Sequence, residues 1–260
     1  MASSEKELYG LIGYPLGHSF SQGYFNNKFA SEGIDAEYLN FEIPSITDLA
    51  EIIATHPALR GLNVTIPYKQ AVIPYLDEID PTARKIGAVN VIRVSRNAAG
   101  HVHLKGFNSD IIGFTDSISP LLSGKNHTHA LVLGTGGASH AVMAGLSQLG
   151  ISGTLVSRSP RPGVITYADL DDVIMASHTV IVNTTPLGMY PLVDACPDIP
   201  YRLVTKNHVC FDLLYNPDVT MFMQRCAEQG ATVKNGLEML LLQAFASWEF
   251  WGGEERIKTL

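Results

Sequence analysis

Short apolar, β-branched runs alternate along the chain with longer segments whose apolar residues recur at helical spacing. That pattern yields parallel sheets covered by helices. In the first half it predicts a strand over residues 8–13, a helix from Ser21 to Glu32 stopped by Gly33, a strand over 37–43, a helix over 46–55 and a strand over 61–66. Gly33 suits its place because glycine takes the left-handed conformation after a helix at no steric cost. Two short helices follow, around Tyr68–Leu76 and Thr82–Ile86, then an apolar strand from Ala88 to Val94 and a polar turn, Ser95–Gly100, into His101–Leu104. A second series predicts strands at 130–133, 153–156, 179–182, 208–212 and 231–233. Between them one helix runs from Ala138 to Leu149 before Gly150, and another has Asn216 as its cap, Pro217 as its first residue and Gly230 past its end. Leu237–Phe250 is apolar at helical period, and is expected to be buried and to pack against the first half.

With 260 residues, the two series read as two domains. Hydrophobic residues make up 46% and charged residues 17%, which supplies a core and argues against disorder. Lys plus Arg is 18 against 25 for Asp plus Glu, a net charge of −7, so a nucleic-acid backbone or an anionic membrane would on average be repelled. Small anions can still be held by a few local cations. Cys196, Cys210 and Cys226 are odd in number and form no Cys-x-x-Cys pair, which suits a reducing cytoplasm better than a disulfide framework. An acidic start in place of a secretory peptide, and no run near the roughly 18 apolar residues of a membrane span, suggest a soluble, unprocessed protein. His101 with His103 and His127 with His129 could each pair on one strand face. They lack nearby cysteines or clustered carboxylates, so they read as surface histidines and no metal is expected.

The strand Ala130–Leu133 runs directly into Gly134-Thr135-Gly136-Gly137-Ala138-Ser139 and a helix, the context of a dinucleotide-binding turn. Glycines let the backbone approach a diphosphate, and the N–H groups of the new helix hold its charge. Such a turn serves equally an S-adenosylmethionine site or tight packing. The next strand ends in Ser157-Arg158-Ser159-Pro160-Arg161, where NAD-specific proteins carry an acid about 20 residues past the turn. Two arginines and two hydroxyls there suit a ribose 2′-phosphate, favouring NADP over NAD.

Polar clusters sit at the ends of first-half strands: His18-Ser19-Phe20-Ser21, Asn63-Val64-Thr65-Ile66-Pro67-Tyr68-Lys69, Gly87-Ala88-Val89-Asn90 and Gly106-Phe107-Asn108-Ser109-Asp110. Individually they allow plainer roles, with Ser21 and Asp110 as helix caps and Lys69 as a solvated lysine. Together they offer hydroxyls, amides, a cation and a carboxylate, a set suited to a small polyhydroxylated acid.

With Gly-Tyr-Pro-Leu-Gly-His-Ser-Phe-Ser, Asn-Val-Thr-Ile-Pro-Tyr-Lys, Ile-Gly-Ala-Val-Asn, Gly-Thr-Gly-Gly-Ala, Asn-Thr-Thr-Pro-Leu-Gly-Met, Asp-Leu-Leu-Tyr-Asn-Pro and Gly-Leu-Glu-Met-Leu-Leu-Leu-Gln in order over residues 10–243, the chain resembles the shikimate dehydrogenase family. The resemblance implies two α/β domains: an N-terminal substrate domain on a mainly parallel mixed sheet (1–110) and a Rossmann-like NADP-binding domain (111–236), with a cleft between them. A C-terminal helical segment (237–260) would return to the substrate domain. It implies reversible NADPH-dependent reduction of 3-dehydroshikimate to shikimate, on the route to chorismate and aromatic amino acids, by a monomer or homodimer.

Carried over by position, the resemblance implies Lys69 and Asp110 as the catalytic pair. Ser19, Ser21 and Tyr215 would meet the substrate carboxylate, and Asn63, Thr65, Asn90, Asp110 and Gln243 the ring hydroxyls. Gly134, Thr135, Gly136, Gly137 and Ala138 would hold the diphosphate, and Ser157, Arg158 and Ser159 the 2′-phosphate side. Asn183, Thr184, Thr185, Gly188, Met189, Gly236 and Met239 would lie near the nicotinamide. Departures from the family pattern include Pro160 before Arg161, Gln22 in place of a proline, Ser109-Asp110-Ile111 for Thr-Asp-Gly, Val91 for a threonine and Glu238 for a small residue. Rival readings are a quinate or dual quinate/shikimate dehydrogenase, a non-catalytic binding protein on the same fold and, more remotely, a folate-type dehydrogenase.

Overall fold

Each series of strands becomes one six-stranded sheet in the computed structural model. The structure describes residues 6–253 except His18 and Lys125, so the first five residues and His18 of the first polar cluster lie outside it. Two compact units emerge. One holds the described residues up to Ser109 with those from Ala244 on, and the other spans Asp110–Gln243.

In chain order the first unit contains β1 (Glu7–Gly13), α1 (Phe20–Glu32), β2 (Ala36–Glu42), α2 (Leu49–Thr55), β3 (Leu59–Val64), α3 (Tyr68–Ala71), β4 (Glu78–Ile79), α4 (Pro81–Ile86), β5 (Val91–Arg96) and β6 (Val102–Phe107). Its strand order is β2-β1-β3-β5-β6-β4, with β5 antiparallel to both neighbours and the other pairs parallel. Side chains alternate across a strand, so β1 sends Leu8 and Ile12 into a core under α2, α3 and α4. Tyr9 and Leu11 enter the opposite core, with Phe25 and Phe29 of α1 and Trp248 and Trp251 from the C-terminal segment. Arg96 closes α2, its guanidinium donating to the carbonyls of Ile53 (3.0 Å), His56 (3.2 Å) and Leu59 (2.7 Å), which answers acceptors that a helix end leaves open.

The second unit contains α5 (Asp110–Leu122), β7 (His129–Leu133), α6 (Gly137–Gln148), β8 (Ser152–Ser157), β9 (Val164–Thr166), α7 (Asp172–Ser177), β10 (Val180–Asn183), β11 (Val209–Asp212), α8 (Met221–Glu228), β12 (Thr232–Lys234) and α9 (Leu237–Phe250), whose residues from Ala244 on count with the first unit. The order β12-β11-β10-β7-β8-β9 is wholly parallel and reverses direction between β7 and β10. Strands buried on both faces need apolar residues throughout: Ala130 and Val132 pack against α5 and α6, while Leu131 and Leu133 face the core that includes α7 and α8. Among the described residues, no helix is long and apolar enough to cross a membrane.

Several expectations change. The helix expected from Asn216 starts at Met221, because Thr220 is the cap, its hydroxyl accepting from the N–H of Met223. Asn216, Pro217 and Asp218 lie in a bend, pinned by Asn235 Nδ2 donating to the Asp218 carbonyl at 3.0 Å. The strand expected from Ala88 begins only at Val91, and the helix after Tyr68 stops at Ala71 before a single 3₁₀ turn. The pattern gave no sign of β4, β9 or α5, and it implied a helix in the region of α7 without bounding it. Gly113 and Pro120 interrupt α5 as read from sequence, yet Gly113 is what admits α9: a Cβ there would fall 2.5 Å from the Met239 carbonyl.

The aromatic core of the first unit depends on one small residue. Trp251 is fully buried, 5.0 Å from Tyr9 and 5.2 Å from Phe25 between ring centroids, and its Nε1 donates to the Ile92 carbonyl at 3.1 Å. A Cβ on Gly61 would lie 2.4 Å from that indole. Gly61→Ala is therefore expected to lower stability by about 1–3 kcal/mol through overpacking, seen as a lower urea midpoint at unchanged slope. An unchanged midpoint would show that the indole yields freely.

Candidate active site

In the first unit the polar clusters lie at or just past the ends of β1, β3 and β6 and just before β5, whose antiparallel run starts at the same edge, the edge where open α/β sheets bind ligands. Ser19 caps α1, its Oγ accepting from the Gln22 N–H at 3.4 Å. The cap is thus Ser19 and not Ser21, which stands in the first turn, where its hydroxyl works against the rise that burial imposes on the Tyr38 phenol. Thr65 follows β3, and its N–H donates to the Ile12 carbonyl at 2.9 Å. Lys69 lies in α3, half-buried, and its carbonyl accepts from Val89 N–H at 2.7 Å, so the loop bearing Asn90 hangs from the helix bearing Lys69.

Asn63 and Asn90 are buried in one continuous network. Asn63 Oδ1 accepts from the Tyr38 phenol at 2.8 Å, while its Nδ2 donates to Ser247 Oγ at 3.0 Å and to the Asn90 carbonyl at 3.4 Å. Asn90 Oδ1 accepts from Ser109 N–H at 2.7 Å, its Nδ2 donates to Ser109 Oγ at 3.0 Å, and the Ser109 and Ser247 hydroxyls lie 3.1 Å apart. Burial pushes the Tyr38 phenol far above its ordinary range, so it acts as a neutral hydroxyl. No motif pointed to Tyr38 or Ser247. A tyrosine in a strand and a serine in an apolar helix both read as packing, and Ser247 is 184 residues from Asn63 in the chain.

In the second unit Asp110 opens α5 and is buried. The glycine turn lies where the strand order reverses. Gly134 has φ 106° and donates to the Val156 carbonyl at 2.9 Å, and a Cβ on it would sit 2.8 Å from Thr184 Oγ1, so conformation and space both call for glycine. Thr135 through Ala138 lead into α6. Cβ positions at Gly136 and Gly137 would meet nothing within 4 Å, so open space adjoins the N-terminal N–H groups. Ser139 stands in for the third small residue by turning its hydroxyl back onto the Gly136 carbonyl at 2.7 Å.

Beside this turn, Ser157 Oγ donates to the Ser159 carbonyl at 2.7 Å and accepts its N–H at 3.0 Å, a tight bend that leaves Arg158 exposed. Arg158 lies near enough to Tyr167 for its charge to oppose burial's upward push on that phenol. Arg161 reaches back to the glycine turn, its Nη1 donating to Thr135 Oγ1 at 3.4 Å. Helix N–H groups, hydroxyls and two guanidinium groups match the acceptors of a diphosphate plus one further phosphate.

The loops after β10 and β11 share a buried brace. Asp212 Oδ1 accepts from Asn183 Nδ2 and Leu214 N–H, both at 3.0 Å, and Oδ2 accepts from Thr220 Oγ1 at 2.6 Å. Burial raises the Asp212 carboxyl above its usual range, and the three donors pull against it. Asn183 Oδ1 in turn takes the Thr185 N–H at 3.0 Å and hydroxyl at 2.7 Å. Beyond this brace lie Gly188, buried at φ 103°, and Met189 and Tyr215, 47% and 38% exposed. Met239 is packed in the core with Phe114 and Ile118, Gly236 abuts the Leu213 backbone, and Gln243 Nε2 donates to the Leu240 carbonyl at 2.9 Å. The carboxylate of Glu238 is tied to the Lys234 ammonium and the Ser117 hydroxyl, which hold its pKa down. Of the histidines read as superficial, His127 is buried and shares a hydrogen bond with Thr179 Oγ1 at 2.8 Å.

A family model described as the shikimate dehydrogenase substrate binding domain matches residues 11–92. The shikimate dehydrogenase (NADP(+)) of Methanococcus aeolicus is 35% identical to this chain, covering 97% of it and 94% of its own length. The crystal structure of shikimate dehydrogenase from Aquifex aeolicus has a TM-score of 0.83 at 32% identity, covering 97% of this chain and 95% of that one. That of shikimate 5-dehydrogenase from Thermus thermophilus in complex with NADP(H) and shikimate has a TM-score of 0.80 at 28% identity, covering 95% and 94%. With two mixed or parallel α/β sheets, a glycine turn at the reversal of strand order and this likeness along nearly its whole length, the chain belongs to the shikimate dehydrogenase family.

Proposed function

We propose that this chain catalyses the reversible reduction of 3-dehydroshikimate to shikimate with NADPH, on the route to chorismate and aromatic amino acids. The observation that carries this is the pairing of the Gly134 turn with the exposed Arg158 and Arg161, in a chain 35% identical to a shikimate dehydrogenase (NADP(+)). The chain is assigned to the cytoplasm, as a monomer or homodimer, and its three free cysteines suit a reducing compartment.

Gly134, Thr135, Gly136, Gly137 and Ala138 would hold the cofactor's diphosphate, Ser157, Arg158 and Ser159 its 2′-phosphate, and Asn183, Thr184, Thr185, Gly188, Met189, Gly236 and Met239 its nicotinamide half. Arg161, through Thr135, adds a second cation to the phosphate side. When bound, NADPH supplies a hydride. Ser19, Ser21 and Tyr215 would orient the substrate carboxylate, and Asn63, Thr65, Asn90 and Gln243 its ring hydroxyls. Lys69 is the proposed acid: its ammonium gives a proton to the ketone oxygen as negative charge develops there, and takes one back in the reverse direction. Asp110 is the proposed partner carboxylate, favouring the charged lysine.

Three measurements test this. Adding 3-dehydroshikimate to the protein with NADPH should quench cofactor fluorescence by turnover, while NADH in place of NADPH, or quinate with NADP⁺ in the oxidative direction, should give much slower change. Comparable turnover of quinate would move the assignment to a dual enzyme. Lys69→Ala should lower kcat by a factor of about 10² to 10⁴ at nearly constant Tm, and near-normal turnover would remove lysine from the chemistry. Arg158→Ala should raise KM for NADPH strongly and KM for NADH little, because only NADPH carries the extra phosphate. Equal losses with both cofactors would refute that role.

A further inference from the structure

The sense in which the Asn63 amide points is decided by its surroundings. Of its neighbours, Tyr38 and Ser247 are hydroxyls and can either donate or accept, but the Asn90 carbonyl can only accept. An amide turned the other way would set Oδ1 against that carbonyl. Nδ2 must therefore face Asn90 and Ser247, and Tyr38 must give its one proton to Oδ1. Both N–H groups of Asn63 are then used inside the protein. What is left for a ligand is the second lone pair of Oδ1. Such a site takes a donor, a ligand hydroxyl, and opposes a ketone or carboxylate oxygen.

We infer that Tyr38 and Ser247 are positioning residues that fix Asn63 as an acceptor toward the ring hydroxyl of the substrate. Ser247 has a second part in this, since its contact with Ser109 joins Asn63 to the pair that holds Asn90. Tyr38, Asn63, Ser109 and Ser247 are all buried, with Tyr38, Ser109 and Ser247 at 0% exposure, so water cannot readily replace a deleted hydroxyl. The inference rests on the substrate assignment made above, whereas the locked amide is a property of the free protein.

The test uses the full chain and the variants Tyr38→Phe and Ser247→Ala, which remove one hydroxyl each. Either should raise KM for shikimate about tenfold, the size expected when one buried hydrogen bond is lost, with KM for NADP⁺ within about twofold. In an Asn63→Ala background Tyr38→Phe should add no further rise, because it acts through that amide, and Ser247→Ala should add clearly less than it does alone, only its contact with Ser109 remaining. An unchanged KM for shikimate, a parallel rise in both KM values, or the same rise persisting without Asn63 would each overturn the role. In ¹⁵N-asparagine NMR of the ligand-free chain, the Asn63 side-chain amide protons should exchange slowly in the parent and fast in both variants. Fast exchange in the parent would overturn the lock whatever the substrate. Slow exchange in a parent that does not oxidise shikimate would instead overturn the substrate assignment and uphold the lock.

Discussion

The carbonyl of Leu133 is the point on which the second unit turns. It accepts the N–H of Thr184 at 2.9 Å and its hydroxyl at 2.7 Å, and these two bonds join the end of β7 to the end of β10, the strands between which the sheet order reverses. Two chain segments leave the sheet there in opposite directions, so a crevice is unavoidable. This pair of hydrogen bonds ties the two strand ends together at the base of that crevice, so closely that a Cβ on Gly134 would crowd Thr184. The next residue, Thr185, then fixes the β10 loop to Asn183 and, beyond it, to Asp212.

The first unit meets the same demand at its strand ends by other means. Its edge is wired by side-chain amides and hydroxyls, and Tyr38, Asn63, Ser247, Ser109 and Asn90 satisfy one another without bulk water. Burial makes such a network demanding, because each unmatched donor or acceptor would be costly, and rigid for the same reason. Rigid donors and acceptors suit recognition of a small polar ring. At the β7 turn, by contrast, the groups offered are backbone N–H groups beside open space, which suit a diphosphate of less exacting shape.

Much of this was legible in the residues. Strands of Val, Ile and Leu, the terminators Gly33 and Gly150 and the glycine turn each carry a local signal with a physical cause. Two residues of β4 are too few to show a period, and Gly113 and Pro120 hide a helix whose close contact with α9 needs that glycine. Asn216-Pro217 imitates a helix start, yet Thr220 provides the cap because its hydroxyl can serve Met223 and Asp212 together. At the candidate site the motifs marked the groups that would face ligands. They could not mark the residues behind them: Tyr38, Ser247 and Asp212 look like ordinary packing until long-range contacts are known, and Arg161 becomes a neighbour of Thr135 only through the fold.

The rings of Trp248 and Trp251 belong to the same core as Tyr9, Phe25 and Phe29, although nearly the whole chain separates them in sequence. During synthesis the segment Asp110–Gln243 is therefore complete before the first unit can close its aromatic centre. Until then α1 alone covers that face of the first sheet, and a fragment halted before Ala244 would keep it only part covered. The unit whose strands come first along this chain is the last to finish.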